Sequence, residues 1–304
     1  MLVAGAFLLE FLSQSRLAPL SALTGAPARE RLAVAGVELD RYGPAFLGGG
    51  QTLVLVHGVT PHGKDDPRAR EAAALLARAG FEVLVPTVPG LTRGRLRQDD
   101  VAVVRATLAA RPGPAVVLGV SVGAGPALLA AADPRVRDRV SAVVSLGGYA
   151  SALEVLRFWL TGAYEYGETR GRVRHDPEMV RAFVRANADL LDPGEGEALE
   201  SADPERAARV LASLPAARRR DLDALSPLSV APEIPGRLVL IHGRGDRAVP
   251  YTESLRLAAA RPAPTTLVLV GVLDHVEAGG RTGWQDARDA FALWRVVYAL
   301  VTGR

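Results

Sequence analysis

One serine in this chain stands in a pattern that can turn a hydroxyl into a nucleophile. The stretch "VVLGVSVGAG" covers residues 116–125 and places Ser121 between Gly119 and Gly123, after an apolar run and before the helix-like "PALLAAAD". In a G-x-S-x-G turn the glycines allow a strand to turn sharply into a helix, which exposes the serine hydroxyl. The stretch lacks the third glycine of a dinucleotide loop and the lysine of a Walker loop. The pattern therefore predicts a nucleophile elbow.

A serine hydroxyl needs a base to remove its proton, and the chain offers five histidines. His57 and His242 each end an apolar run, as "VHG" and "IHG", where histidine more often bonds to backbone groups. His62 and His175 lie in polar surroundings and are expected at the surface. His275 follows the last predicted strand and precedes the last predicted helix, which makes it the predicted base.

The base in turn needs an acidic residue that orients its ring. Asp246 lies in the glycine-rich stretch "LIHGRGDRAVP", which follows the penultimate predicted strand. Asp274 is the alternative, but adjacent residues generally point apart, so Asp274 is poorly placed to face His275. The predicted catalytic order along the chain is therefore Ser121, Asp246, His275.

The fourth requirement is a pair of hydrogen-bond donors for the negative charge that develops on a carbonyl oxygen under attack. The stretch "LVLVHGVTPHGK" follows the first buried run, and its Gly58 permits the backbone to approach the serine closely. The backbone N–H groups of Val59 and Val122 are the predicted donors. The alternative is that His57 and Gly58 form only a strand-ending turn.

These residues require a scaffold that brings distant loops together, and short valine-rich runs predict one. Runs without polar alternation indicate strands buried on both faces of a parallel sheet, and they are separated by helix-like segments such as the one between Pro67 and Gly80. The segment 32–42 alternates around Ala-Gly and predicts an antiparallel hairpin at the sheet edge. We predict an α/β fold with a doubly wound, mostly parallel sheet. The predicted strands lie at 52–56, 81–85, 115–120, 140–146, 237–241 and 265–270.

No buried strand is predicted between about Ala150 and Ile234, where the sequence is helix-like and interrupted by Pro and Gly. We predict three parts: an apolar N-terminal segment (1–30), a core (31–150 and 235–304) and a helical cap insertion (151–234). The cap carries an aromatic cluster in a chain with only 5% aromatic residues. Such a cluster can line an apolar substrate pocket or attach the cap to the core. The predicted pocket residues are Tyr149, Phe158, Trp159 and Tyr164.

Composition narrows the classes of partner. The chain has 304 residues, no cysteine and a net charge of +3 with its arginines spread evenly, so a disulfide framework, a thiolate zinc site and a nucleic-acid partner are not expected. Neither a metal nor a cofactor is predicted.

The N-terminal run "MLVAGAFLLEFL" is shorter than the ~20 residues of a membrane span and lacks a basic leader region. It predicts a helix that packs on the core or lies on a membrane surface, with the remnant of a longer anchor as the alternative. A cytoplasmic location is the default expectation, and membrane association through this segment stays open.

Taken together, "VHGV", "GVSVG", "HGRGDRAVP" and the "DH" of residues 274–275 resemble the α/β-hydrolase fold superfamily. The resemblance covers roughly residues 50–150 and 235–304, with the cap at the family's usual insertion point. The acid stretch is similar to those of dienelactone-hydrolase-like and prolyl-oligopeptidase-like branches, although serine stands where the former usually have cysteine, and the propeller of the latter is missing. The resemblance implies acyl-transfer chemistry, usually ester hydrolysis, without a cofactor.

The sequence thus predicts a serine hydrolase that cleaves a carboxylic ester of a small-molecule acyl substrate through an acyl-enzyme. A thioesterase, peptidase or acyltransferase would use the same residues. A non-catalytic member that binds a ligand in the same pocket is the alternative of a different class.

Overall fold

The computed structural model describes residues 1–45, 50–188, 193–200, 203–274, 277–278 and 284–303. Within these residues the chain forms a mixed sheet with helices on both faces. The strands are β1 (Arg29–Val34), β2 (Val37–Tyr42), β3 (Thr52–Val56), β4 (Glu82–Pro86), β5 (Ala115–Val120), β6 (Val140–Leu146), β7 (Ala163–Tyr166), β8 (Thr169–Arg172), β9 (Arg237–Gly243), β10 (Thr265–Val270), β11 (Leu273–Asp274) and β12 (Glu277–Ala278).

The helices alternate with the strands of the core and fill most of the region that follows β6. They are α1 (Leu2–Leu12), α2 (Pro19–Leu23), α3 (Pro67–Arg78), α4 (Asp99–Ala109), α5 (Ala124–Ala132), α6 (Ala152–Thr161), α7 (Pro177–Ala186), α8 (Pro193–Glu200), α9 (Pro204–Ala212), α10 (Ala216–Ala224), α11 (Thr252–Ala260) and α12 (Trp284–Thr302).

The eight-stranded sheet has the order β1-β2-β4-β3-β5-β6-β9-β10. The pairs from β4 to β10 are parallel, whereas β1 and β2 join antiparallel at one edge. The predicted fold class, a mostly parallel α/β sheet, is therefore confirmed. Because β5, β6, β9 and β10 run in the same direction, the loops that follow them meet at one edge of the sheet.

Each face of the sheet has its own apolar core. Val54 and Val117 point to the layer of α4 and α5, while Leu53 and Val116 point to the layer of α1, α3 and α12. These strands read as continuous apolar runs because both of their faces are covered.

Local sequence signals account for the ends of α3 and for the turn of the edge hairpin. Asp66 accepts a hydrogen bond from the N–H of Arg68 (2.9 Å) and so caps α3, and Gly80 follows that helix with φ +105°. In the edge hairpin, Ala35 and Gly36 both have positive φ, as a two-residue turn requires.

The insertion between β6 and β9 contains α6 to α10 and one element that the sequence did not predict. Residues 163–172 form the antiparallel hairpin β7-β8, which turns at Gly167 (φ +59°). Its strands are only four residues each and partly exposed, so they lack the apolar run that marked the core strands. The three-part domain division itself stays a prediction.

The N-terminal segment packs on the core. Ala4 and Leu8 of α1 are buried, whereas Leu2 and Leu9 of the same helix are exposed. Among the described residues, no helix is long and apolar enough to span a membrane.

Candidate active site

Ser121 lies at the turn between β5 and α5, at the carboxyl edge of the sheet. Its φ is +53°, in the left-handed region that a residue with a side chain rarely adopts. Such a conformation costs on the order of 1 kcal/mol and persists only where the surroundings enforce it. The turn therefore holds Ser121 in a strained position that points its side chain away from the strand.

The two flanking glycines are required by close contacts of the backbone. A Cβ on Gly119 would lie 2.4 Å from the Cα of Ala124, and one on Gly123 would lie 2.1 Å from the carbonyl oxygen of His57. Both contacts are shorter than any side chain permits, so only glycine lets β5 turn directly into α5 beside β3.

A cavity of about 980 Å³ opens at this edge, and Ser121 contributes to its lining. Gly58, Val59 and Val122 line it next to the serine. This volume lies at the upper end of the ~300–1,000 Å³ that small-molecule sites usually enclose. Ser121 therefore borders a space that can hold a substrate.

The loop after β3, residues 57–62, is called the donor loop here. A Cβ on Gly58 would lie 3.2 Å from the Cβ of Ser121, so this loop passes directly beside the serine. Within the described part of the chain, the N–H groups of Val59 and Val122 donate no hydrogen bond to another residue. Two backbone donors next to one hydroxyl can stabilise an oxyanion.

His57 fixes the orientation of the donor loop. Its Nδ1 donates to the carbonyl oxygen of Gly58 (2.7 Å), and its Nε2 accepts from the N–H of Val88 (3.1 Å). Because a trans peptide points its C=O and N–H in opposite directions, the N–H of Val59 points away from the His57 ring. Burial lowers the pKa of His57, which keeps the ring neutral and able to accept from Val88. His57 is thus a positioning residue, as its place at a strand end predicted.

Residues 242–250, which comprise the end of β9 and the loop that follows it, are called the acid loop here. Oδ1 of buried Asp246 accepts from the N–H groups of Ala248 (2.8 Å) and Val249 (2.9 Å). Its Oδ2 lies 3.3 Å from Nε2 of His242. His242 is itself buried and contacts Ser254 through Nδ1 (2.7 Å). The carboxylate is therefore held rigidly by the loop that carries it.

His275 lies outside the described residues, and so do the contacts of the Asp274 side chain. The segment that leads to His275 is described as far as β11. A Cβ on Gly243 would lie 2.2 Å from the carbonyl oxygen of Leu273, which shows that this segment passes against the start of the acid loop.

Of the predicted pocket residues, only Trp159 lines the cavity. Its Nε1 donates to the carbonyl oxygen of Ala248 (2.6 Å), and its ring meets that of Phe183 edge to face at 4.6 Å. Trp159 therefore connects the insertion to the acid loop as well as forming a wall.

The other three predicted pocket residues do not line this cavity. Tyr149 packs behind the elbow: a Cβ on Gly125 would lie 2.2 Å from its hydroxyl oxygen, and that hydroxyl donates to Leu225 (2.9 Å). Phe158 is fully buried against Tyr164 and His175. Tyr164 belongs to β7 of the insertion hairpin, and its ring lies against Gly171 of β8. Tyr149 and Phe158 are thus buried within the protein, whereas Tyr164 is half-buried on the insertion.

Sequence reasoning missed two walls of the cavity. One consists of apolar residues of α7, including Val180 and Phe183. The other lies on the opposite side, where Phe11 of α1 and Ala72 of α3 take part. Amphipathic periodicity indicates that such faces are buried, but it does not indicate what they face. Across the described residues, no group of three His, Asp or Glu side chains is arranged to hold a metal ion.

The sequence of this chain matches a known protein family. A family model described as the alpha/beta hydrolase family matches residues 53–292. Curated protein sequences give no significant match.

Solved structures share the fold at low identity. A meta-cleavage product hydrolase variant from Pseudomonas fluorescens IP01 has 20% identity and a TM-score of 0.50, covering 90% of this chain and 98% of that one. The esterase domain of a Rhodothermus marinus protein has 16% identity and a TM-score of 0.52, covering 91% and 98%. Est1E from Butyrivibrio proteoclasticus has 14% identity and a TM-score of 0.53, covering 91% and 99%. At these identities the likeness concerns the fold alone.

Proposed function

The chain belongs to the alpha/beta hydrolase family, and we propose that it acts as a serine hydrolase of carboxylic esters. The observation that carries the proposal is the strained Ser121, with φ +53°, in a cavity of about 980 Å³ directly beside the donor loop. A hydroxyl held in that conformation and facing a substrate-sized space matches what nucleophilic attack on a carbonyl requires.

In the proposed reaction, Oγ of Ser121 attacks the ester carbonyl carbon while His275 accepts the hydroxyl proton. The N–H groups of Val59 and Val122 stabilise the resulting oxyanion. His275 then gives the proton to the leaving alcohol, which produces an acyl-enzyme on Ser121. Water, deprotonated by His275, attacks the acyl carbon and releases the carboxylic acid.

Asp246 has the role of orienting and stabilising His275. Its carboxylate is buried and already accepts two backbone hydrogen bonds through Oδ1. The position of Leu273 against Gly243 supports this role, because it brings the chain that precedes His275 to the acid loop.

Hydrolysis of p-nitrophenyl esters by the full chain tests the proposal. We expect Ser121→Ala to lower kcat by at least about 10³-fold, since removal of a triad nucleophile leaves only binding and the oxyanion donors. Ser141→Ala is the matched control. Ser141 lies at the start of β6, whereas Ser121 follows the carboxyl end of the neighbouring strand β5, and the Oγ of Ser141 accepts from Gln51 (3.1 Å). Activity that survives in Ser121→Ala would reject the proposal, as would a folded wild type that cleaves no ester. Parallel thioester and anilide substrates distinguish esterase from thioesterase and peptidase activity.

A further inference from the structure

The cavity that contains Ser121 extends beyond the strand ends to the face of the sheet covered by α1 and α3. Leu55 of β3, which packs in the core of that face, contributes to its lining. On α3 the lining includes Ala69, Ala72 and Leu75, and on α1 it includes Phe11. We call this end of the cavity the α1/α3 arm. Its small alanine side chains leave space along α3 that larger residues would fill.

The N-terminal segment forms a fixed wall of this arm. Glu10 at the end of α1 is buried, and its Oε2 accepts from the N–H groups of Leu20 (2.9 Å) and Ser21 (3.1 Å) in α2. The hydroxyl of Ser21 also donates to Glu10. These bonds satisfy free N–H groups at the start of α2, which has no side-chain cap of its own. The two short helices are therefore held together beside the cavity.

The lining of the α1/α3 arm is mostly apolar inside, with exposed charged residues at its margin. Phe11, Leu55 and Leu75 present hydrocarbon to the space. The charged lining residues Arg68 and Glu71 of α3 are exposed, which places them at the rim. Two further lining carboxylates, Glu10 and Asp66, are buried, but each accepts hydrogen bonds from other residues. An arm of this kind favours a hydrocarbon chain over a polar or charged group.

We propose that the α1/α3 arm binds an extended apolar chain of the ester, so that the N-terminal segment is part of the substrate-binding site. The inference rests on the proposed function, since it takes Ser121 as the reacting group. A cavity of about 980 Å³ is far larger than an acetyl group needs. Each methylene that enters an apolar arm should raise kcat/KM about fourfold until the arm is full.

The test uses two ester series with the full chain: p-nitrophenyl esters from acetate to palmitate, and acetate esters of straight-chain alcohols. The first varies the acyl chain and the second varies the alcohol, so together they identify which part of the ester enters the arm. In wild type, kcat/KM should rise with chain length in at least one series. A flat or falling dependence in both series would overturn the inference.

Ala72→Phe blocks the arm and, in the series that responds to chain length, should lower kcat/KM for the long-chain esters at least about tenfold relative to the shortest ester of that series. The matched control is Ala109→Phe, the same exchange at an exposed position of α4 outside the cavity lining. Phe11→Ala adds space instead of bulk and should move the optimum to longer chains, which keeps the test valid if Ala72→Phe does not fold. An equal loss for all chain lengths in Ala72→Phe, with no shift in Phe11→Ala, would contradict the inference.

Failure of the inference differs from failure of the proposed function. Hydrolysis that depends on Ser121 but not on chain length or Ala72 would remove only the arm's role. Hydrolysis that persists in Ser121→Ala would remove the proposed function itself.

Discussion

The donor loop and the acid loop begin with the same dipeptide, His-Gly, yet they are held by different parts of the molecule. In the donor loop, His57 bonds to Gly58 and to Val88, which lies in the loop after β4. In the acid loop, His242 bonds to Ser254 and to Val249, and Trp159 of the insertion donates to Ala248. The donor loop therefore depends on the core, whereas the acid loop depends on both the core and the insertion.

The same dipeptide, His-Gly at the end of a strand, thus begins two loops with different proposed roles. A buried histidine satisfies backbone groups at a strand end and makes the following loop rigid. The donor loop uses that rigidity to aim an N–H group, and the acid loop uses it to hold a carboxylate. Variants that affect only one loop test this division.

The largest effect is expected in the acid loop, from Asp246→Asn. The amide oxygen can still accept from Ala248 and Val249, so the fold should be retained. The substitution removes the charge that is proposed to orient His275, and kcat should fall by about 10³- to 10⁴-fold. Steady-state kinetics and circular dichroism measure the two properties. A variant with near wild-type kcat would assign the acid role to another residue, and Asp274→Asn then becomes the comparison.

A second contrast uses the glycine of each loop. In Gly243→Ala the new Cβ would meet the Leu273 carbonyl oxygen at 2.2 Å, whereas in Gly58→Ala it would meet Ser121 at 3.2 Å. Gly243→Ala should therefore lower the free energy of unfolding by about 1–3 kcal/mol, while Gly58→Ala should mainly lower kcat. Urea unfolding and kinetics on both variants distinguish these outcomes. Equal stability losses would mean that the two loops are packed alike.

A third contrast replaces each histidine with glutamine. In His57→Gln, loss of the bond to Gly58 frees the peptide that carries the Val59 N–H, and kcat should fall about 10- to 100-fold with little change in KM. His242 contacts neither of the proposed oxyanion donors, the N–H groups of Val59 and Val122. His242→Gln should therefore lower the free energy of unfolding and shift the pH profile of kcat/KM. If His57→Gln raises KM and leaves kcat unchanged, the donor loop binds substrate without stabilising the oxyanion.

The smallest effect concerns Asp100, a buried residue of α4 that accepts from the N–H of Gly90 (2.8 Å). Burial raises the pKa of Asp100 to about 6 from the ordinary 3.8. The folded state therefore binds this proton more tightly than the unfolded state, and the contribution of Asp100 to stability falls as pH rises through this interval. Asp100→Asn should be more stable than wild type at pH 8, by about 1–2 kcal/mol, with the difference vanishing below pH 4. A constant difference across pH would exclude this titration.

Sequence patterns predicted the core of the fold because its signals are local. The valine-rich runs of β3 and β5 are buried on both faces, and the caps of α3 are adjacent in sequence to the helix that they end. The turn at Ser121 was predictable for the same reason, since Gly119 and Gly123 lie two residues on either side.

The pocket walls were not predictable because they depend on how distant elements pack. Tyr149 and Phe158 have the composition of pocket residues, but the ring of Tyr149 fits against Gly125 and Phe158 is enclosed within the insertion. Conversely, Ala72 carries no chemical signal, and it lines the cavity only because α3 passes beside it.

The most direct test of the central claim is covalent labelling of the folded protein with a fluorophosphonate, followed by mass spectrometry of the peptides. A strained serine activated by a base should form one phosphonyl adduct, on Ser121. The adduct should be absent from Ser121→Ala and present in Ser141→Ala. An unlabelled wild type, or an adduct on a different residue, would contradict the assignment of Ser121 as the nucleophile.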